Sequence, residues 1–246
     1  MRRLISIAVV ALVPTAGCRS RDRAPPAAVG DAGSAGTPLV PDESGRIDVS
    51  TTGTTGIRGR WFASADTDDC RKKGKHSASE CSVLVAPDAS GPAFKPTEDL
   101  GMCAMGVAAK AIAGADGNPD WSNVWGARIG LTLNDGAPYD ALAHQITGFA
   151  FHIDFEPPPG AGFRVAFPTS SFDDAALWGG SVSEKSPVHA GRNEVRWKDV
   201  GGPPFVANPR PFDPTRLLSL VFDVPSTSSG ANSFAFCIRH LVALRN

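Results

Sequence analysis

Apolar and polar residues alternate with a period of two along much of the chain, the pattern of strands with one wet face. Gly126 to Asn134 puts Ala127, Ile129, Leu131 and Leu133 on one side and Arg128, Gly130 and Thr132 on the other. Ile146 to Phe155 sends Phe149, Phe151, Ile153 and Phe155 inward and leaves Ala150, His152 and Asp154 opposite. Further strands are predicted at Arg58 to Ser64, Ser82 to Ala86, Met102 to Ile112, Phe163 to Phe167, Glu194 to Val200, Leu217 to Val224 and Ser233 to Leu244. Gly, Pro, Asn and Asp fill the gaps between them, as turns require. Only Asp140 to His144 and Asp173 to Leu177 hint at a helical turn. The expectation is an all-β fold, two packed antiparallel sheets in a β-sandwich or jelly roll.

The pattern changes completely at the N-terminus. Arg2 and Arg3 precede an apolar run from Leu4 to Val13, and Thr15-Ala16-Gly17 leads into Cys18, the layout of a secretory signal. The run is too short to span a bilayer. Thr-Ala-Gly-Cys resembles a bacterial lipobox, with Thr15 where Leu is usual, and the resemblance implies a lipid on Cys18. Arg19 after that cysteine is compatible with outer-membrane sorting by the same resemblance. Residues 19–56 have no aromatic residue and almost no periodicity, so they read as a flexible tether. The organisation expected is therefore a signal peptide at 1–17, a tether at 18–56 and a β-sandwich domain at 57–246.

Composition supports that division. Of the 246 residues, 26 are Gly and 21 Pro, which favours many turns over long helices. All 13 Phe, 5 Trp and the one Tyr lie from Trp61 onward. The 24 Lys+Arg against 25 Asp+Glu give a charge of -1, no basis for phosphate binding, so nucleic acid is not an expected partner. Cys70, Cys81, Cys103 and Cys237 form an even set in a chain expected to leave the cytoplasm. No Cys-x-x-Cys pair supports zinc. Cys70 and Cys81 bracket the polar segment RKKGKHSASE, so their pairing is the simplest choice, and Cys103 would then pair with Cys237.

WGARIGLTLN, PYDA, ITGFAFHI, GFRVAFP, NEVRWKDV, FDPTRLLSLVFDVPS and SFAFCIRHLVAL follow one another in an order that resembles galactose-binding-like jelly-roll domains. Bacterial surface lipoproteins and carbohydrate-binding modules carry similar domains, and Trp61-Phe62 fits their opening strand. The resemblance covers residues 57–244 and adds to the case for Cys103–Cys237. It also implies a structural calcium near the opening strand, for which Asp66, with Asp68 and Asp69, offers hard oxygen ligands. Arg239, followed by His240, stands where similar domains often carry an acidic residue.

A sugar site needs an aromatic face against apolar C–H surfaces and planar polar groups for hydroxyls. The candidate ligand-binding residues are Arg128, His152, Asp154 and Arg164 on outward strand positions, with Tyr139 in a turn and Trp178 in the loop LWGGS; Arg196 is a further outward arginine. Their convergence depends on register, because a one-residue slip would bury them. No Gly-x-Ser-x-Gly, His-Glu-x-x-His or phosphate loop is present, so no enzyme is expected. The function expected is a lipid-anchored cell-envelope protein that binds a carbohydrate or cell-surface glycan without cleaving it and meets the membrane only through its anchor. The alternative is a surface lipoprotein with a protein-contact or structural role.

Overall fold

In a computed structural model of the chain, the residues described are 36–86, 101–114, 116–154, 163–170, 181–182, 188–201, 208 and 211–245. Two antiparallel sheets make a β-sandwich with almost no helix. The first contains β1 (Gly36–Pro38), β4 (Val83–Ala86), β5 (Met102–Ala108), β7 (Ile146–Ile153), β10 (Gly191–Arg196) and β13 (Asn232–Arg245). The second contains β2 (Arg46–Ile47), β3 (Gly59–Ala65), β6 (Gly126–Thr132), β8 (Arg164–Ala166), β9 (Ser181–Val182), β11 (Val200–Gly201) and β12 (Ser219–Pro225). The first runs β10-β7-β13-β5-β4, with β1 beside β13; the second runs β11-β9-β8-β12-β6-β3-β2.

The two-residue alternation explains the core. Phe149, Phe151 and Ile153 of β7 face Ile129 and Leu131 of β6, Trp61 of β3 and Leu220, Phe222 and Val224 of β12, all buried in one cluster. Phe151 meets Phe222 edge-on across the sandwich with ring centroids 4.9 Å apart, and Phe163 meets Phe236 at 5.1 Å. Aromatic pairs in this geometry contribute about 1 kcal/mol beyond the area they bury. Trp197 closes one end, resting edge-on against Phe149 and Phe167 while its indole N–H donates to the Ile146 carbonyl at 2.7 Å.

Most strands keep the places their alternation predicts, with ends trimmed where the backbone turns away. The strand expected to continue to Ile112 stops at Ala108, and the one expected from Glu194 to Val200 breaks after Arg196 into a short turn at Trp197–Asp199. Asp140 to His144 form turns rather than a helix. Residues 1–35, Trp178 and the expected helical turn at Asp173 to Leu177 lie outside the described residues.

The boundary expected at residue 57 moves toward the N-terminus. β1 pairs with the second half of β13, from Gly36 opposite Leu244 to Pro38 opposite Val242, and β2 pairs with β3. Leu39 and Ile47 are buried in the main core. Residues 36–56 hold too few apolar positions to show a period, yet Leu39 and Ile47 pack while Val40 and Val49 stay exposed. Composition alone misreads them as tether.

Both expected disulfides are present, Cys70–Cys81 and Cys103–Cys237. They enclose 11 and 134 residues of sequence separation, worth about 3 and about 5 kcal/mol in the chain-entropy account. Two such bonds place the folded part in an oxidising, extracytoplasmic compartment. Among the described residues, no helix is long and apolar enough to cross a membrane.

Candidate functional site

The outward strand positions do carry the polar residues that alternation assigns to them, but on opposite sides of the molecule. The strand β6 with Arg128 belongs to the second sheet and β7 with His152 to the first. The single polar face expected from sequence is therefore split in two. Arg128 and Arg164 share one outer face, and His152 and Asp154 share the other.

On the first sheet, Arg192 of β10, His152 of β7 and Arg239 of β13 stand opposite one another in a single cross-strand row. Asp154, one residue beyond β7, joins that row from its end: Arg239 Nε lies 2.5 Å from Asp154 Oδ2 and His152 Nε2 lies 3.5 Å from Oδ1. Glu194, two residues along β10, lies 3.6 Å from Arg192 and 2.8 Å from Arg196 Nε. These groups reach solvent: the side chains of Arg192 and His152 are 47% and 42% exposed, those of Asp154 and Arg239 30% and 27%. β13 fits one extra residue against β7 between Arg239 and Val242, and His240 in that bulge takes φ 48° and stands edge-on to His152. Bulges re-aim side chains in this way. The result is a shallow field of planar donors and acceptors.

The second sheet builds a row of similar composition and opposite character. Arg164 of β8, Asp223 of β12, Arg128 of β6 and Ser64 of β3 are mutual register partners. Arg164 donates to Asp223 Oδ2 at 2.6 Å, and Arg128 Nε donates to Ser64 Oγ at 3.0 Å with its guanidinium over the Trp125 ring at 4.3 Å. Asp223 is only 1% exposed, and among the described residues its Oδ1 has no hydrogen-bond partner. Burial raises the Asp223 carboxyl above its usual range despite the opposing pull of Arg164 and Arg128, and burial lowers Arg128. Next along, the Trp125 indole donates to Asp69, which also holds Lys73 at 2.7 Å; that bond from Lys73 keeps the Asp69 carboxyl below its usual range. The row is centred on a carboxylate withdrawn from water and already paired, with Arg164 partly exposed beside it, rather than on open acceptors.

The remaining candidates fall elsewhere. Tyr139 does not stand at a rim: it is buried, its hydroxyl donates to the Thr55 carbonyl at 2.5 Å, and its ring stacks on His144. Burial pushes its phenol well above the usual value. Tyr139 thereby clamps the turn before β7 onto the segment before β3. Arg196 hydrogen-bonds Thr147 and Glu194 at the edge of the first face.

Asp66 is corrected from ion ligand to structural hub. It is fully buried, and its oxygens accept from Ser82 N, Ser82 Oγ and Gly126 N at 2.7 to 2.8 Å. Three convergent donors are the wrong surroundings for a cation, which needs oxygen lone pairs. Burial raises its carboxyl, with those hydrogen bonds opposing. Gly126 at this point has φ 120°, and a Cβ there would come within 2.2 Å of the Val224 carbonyl, so only glycine brings its N–H so close. Asp68 and Asp69 pair with Lys72 and Lys73 instead. Among the described residues, no cluster of three or more His, Cys, Asp or Glu is arranged to hold a metal ion.

Sequence reasoning missed Arg192, Glu194 and Asp223, and read Arg239 only as a departure at an ion-ligand position. Asp223 carried a signal, a lone charge inside the apolar run LLSLVFDVP, which marks a buried acid in need of a partner. On the same outer face as His152, Val83, Val85 and Met105 form an exposed apolar stripe at the β4–β5 edge.

No family model matches the chain, and no curated protein matches it. Among solved structures, it is similar to a beta-1,2-glucanase from Parabacteroides distasonis at 9% identity and a TM-score of 0.30. That match covers 87% of this chain and 26% of the glucanase, so the chain spans about a quarter of that enzyme.

Proposed function

We propose that the chain is an exported, lipid-anchored protein of the cell envelope whose β-sandwich binds carbohydrate on the outer face of the first sheet without cleaving it. The observation that carries this reading is the row Arg192–His152–Arg239 with Asp154 at its end. Its guanidinium, imidazole and carboxylate groups are planar, fixed by backbone register and open to solvent, which suits the alternating donor and acceptor character of neighbouring sugar hydroxyls. Mutual ion pairing holds their orientation before a ligand arrives, so less ordering cost falls on binding. Asp154 is tied to Arg239 and His152, an arrangement suited to hydrogen bonding rather than to proton transfer. Lipidation at Cys18 would leave the domain on a short leader beside the membrane, with Arg19 favouring the outer membrane.

The test is a glycan array probed with the exported chain carrying Cys18→Ser, followed by titration of any hit. Binding that weakens at least about 10-fold in His152→Ala and Arg239→Ala, with thermal stability unchanged, supports the reading. Absence of binding at millimolar glycan overturns it. The same Cys18→Ser variant moves from the membrane to the soluble fraction if the anchor is correct, and an unchanged distribution refutes the anchor.

A second reading rests on Val83, Val85 and Met105. Exposed apolar residues at a sheet edge suit contact with another protein. That reading predicts loss of a protein partner, not of a glycan, in Val85→Lys.

A further inference from the structure

The two disulfides have contrasting surroundings. Cys70 and Cys81 are buried in a small apolar cluster with Ala109 and Val124, and Ile112 packs against it. Cys103 and Cys237 are directly opposed residues of β5 and β13. Because Met102, Ala104, Phe236 and Ile238 of these strands go into the core, the two cysteines point to the outer face, where both are half-buried. Met105, next on that face of β5, is exposed. The register from Asn232 opposite Ala108 to Ile238 opposite Met102 is held by the backbone ladder on both sides of the bond.

Among the described residues, the polar neighbours of the bond lie at its Cys237 end. Asp154 donates its backbone N–H to the Cys237 carbonyl at 3.2 Å, which sets the Asp154–Arg239–His152 group beside Cys237. Arg239 is two residues from Cys237 on the same face of β13. Cys103 has Met105 in the corresponding place.

We propose that Cys103–Cys237 is a thiol-exchange site, open in the native state to a small thiol or to the dithiol of a reductant protein, while Cys70–Cys81 is closed. The incoming thiolate bonds to Cys103 Sγ, the Cys103–Cys237 bond breaks, and its electron pair leaves on Cys237 as a thiolate that takes a proton from solvent. A second thiolate of the reductant then attacks the mixed disulfide, releasing Cys103 reduced and the reductant oxidised, two electrons and two protons in all. Cys103 is the sulfur attacked because, among the described residues, the charged groups near the bond lie at the Cys237 end, where the Asp154 carboxylate repels an approaching anion. Arg239, two residues along the same face of β13 and paired with Asp154, steadies the departing Cys237 thiolate. Reaction at Cys70–Cys81 requires local opening of its apolar cluster first, which slows it.

The experiment is timed alkylation of the full chain carrying Cys18→Ser in dithiothreitol, read by peptide mass mapping with far-ultraviolet circular dichroism in parallel. The expected result is labelling of Cys103 and Cys237 about 100-fold or more ahead of Cys70 and Cys81, with the dichroism unchanged. Equal rates, earlier labelling of Cys70 and Cys81, or labelling only as the dichroism collapses overturns the proposal. A brief pulse of glutathione should leave its adduct on Cys103; an adduct on Cys237 overturns the assigned direction. Arg239→Met should slow exchange at this bond several-fold and leave the Cys70–Cys81 rate alone, and an unchanged rate removes Arg239 from the account. Because every readout includes wild-type side chains at both cysteines, failure of a variant to fold does not block the test.

Discussion

The outer faces of the two sheets carry nearly the same letters and do different things. Each has a cross-strand row in which arginines bracket or flank an aspartate: Arg192, His152 and Arg239 with Asp154 on the first sheet, and Arg164, Asp223 and Arg128 on the second. On the first, the aspartate itself keeps 30% of its side chain exposed, and ion pairs that water reaches carry little net stabilisation. On the second, Asp223 is removed from water altogether, and its pair with Arg164 carries the energetic weight of a desolvated charge. Outward geometry does not make a binding face. Solvent access separates a surface that can exchange water for a ligand from a network that is already part of the fold.

The sharpest way to break the comparison is to remove one arginine from each row. Arg164→Ala leaves the buried Asp223 without its 2.6 Å partner and should lower unfolding stability by about 3 kcal/mol in urea titrations. Arg239→Ala leaves Asp154 in contact with water and His152, and should cost less than about 1 kcal/mol. Equal losses would show that the two faces are not energetically distinct. A comparable loss, about 3 kcal/mol, is expected for Asp66→Ala, which strands the donors of Ser82 and Gly126 in the interior.

Acidity sharpens the same contrast. Burial raises the Asp223 carboxyl above its unfolded value, so the folded state takes up a proton at pH values where the unfolded chain has already lost it. The stabilising contribution of the neutral form is then full below about pH 3.8 and is lost as pH rises toward the folded value. Without Arg164 the ionised form is worse off still. The deficit of Arg164→Ala relative to wild type should therefore shrink as pH falls from 7 to 4, measured as urea midpoints at each pH. A deficit that grows on acidification would contradict the buried-carboxylate account.

Much of the architecture was legible because period-2 alternation survives in most long strands, although β12 is buried on both faces; GARIGLTLN and ITGFAFHI name their core residues correctly. Alternation records which side of its own sheet a residue occupies and is silent on which sheet the strand joins. Arg128 and His152 were grouped for that reason, although β6 and β7 lie in opposite layers. The shortest strands, such as Gly36–Pro38, were invisible because three residues hold no period and their pairing comes from β13. Tyr139 looked like a turn residue with a free ring, since nothing local reveals the Thr55 carbonyl that takes its hydroxyl. Both disulfides were readable from cysteine number and spacing, aided by the small loop that Cys70 and Cys81 close.

The smallest effect tests whether the exposed face is free of structural duty. Glu194 lies within 3.6 Å of Arg192 and 2.8 Å of Arg196, so Glu194→Gln removes two surface ion pairs while keeping the side chain's size and its hydrogen-bonding oxygen. Long exposed side chains that pair in water lose rotamer freedom about as fast as they gain Coulomb energy. The expected change in stability is within about 0.5 kcal/mol, with a midpoint that no longer depends on salt through these pairs. A loss above about 2 kcal/mol would move Glu194 into the same class as Asp223. The first sheet would then be held together by its charges, and the surface proposed for glycan contact would have to serve the fold first.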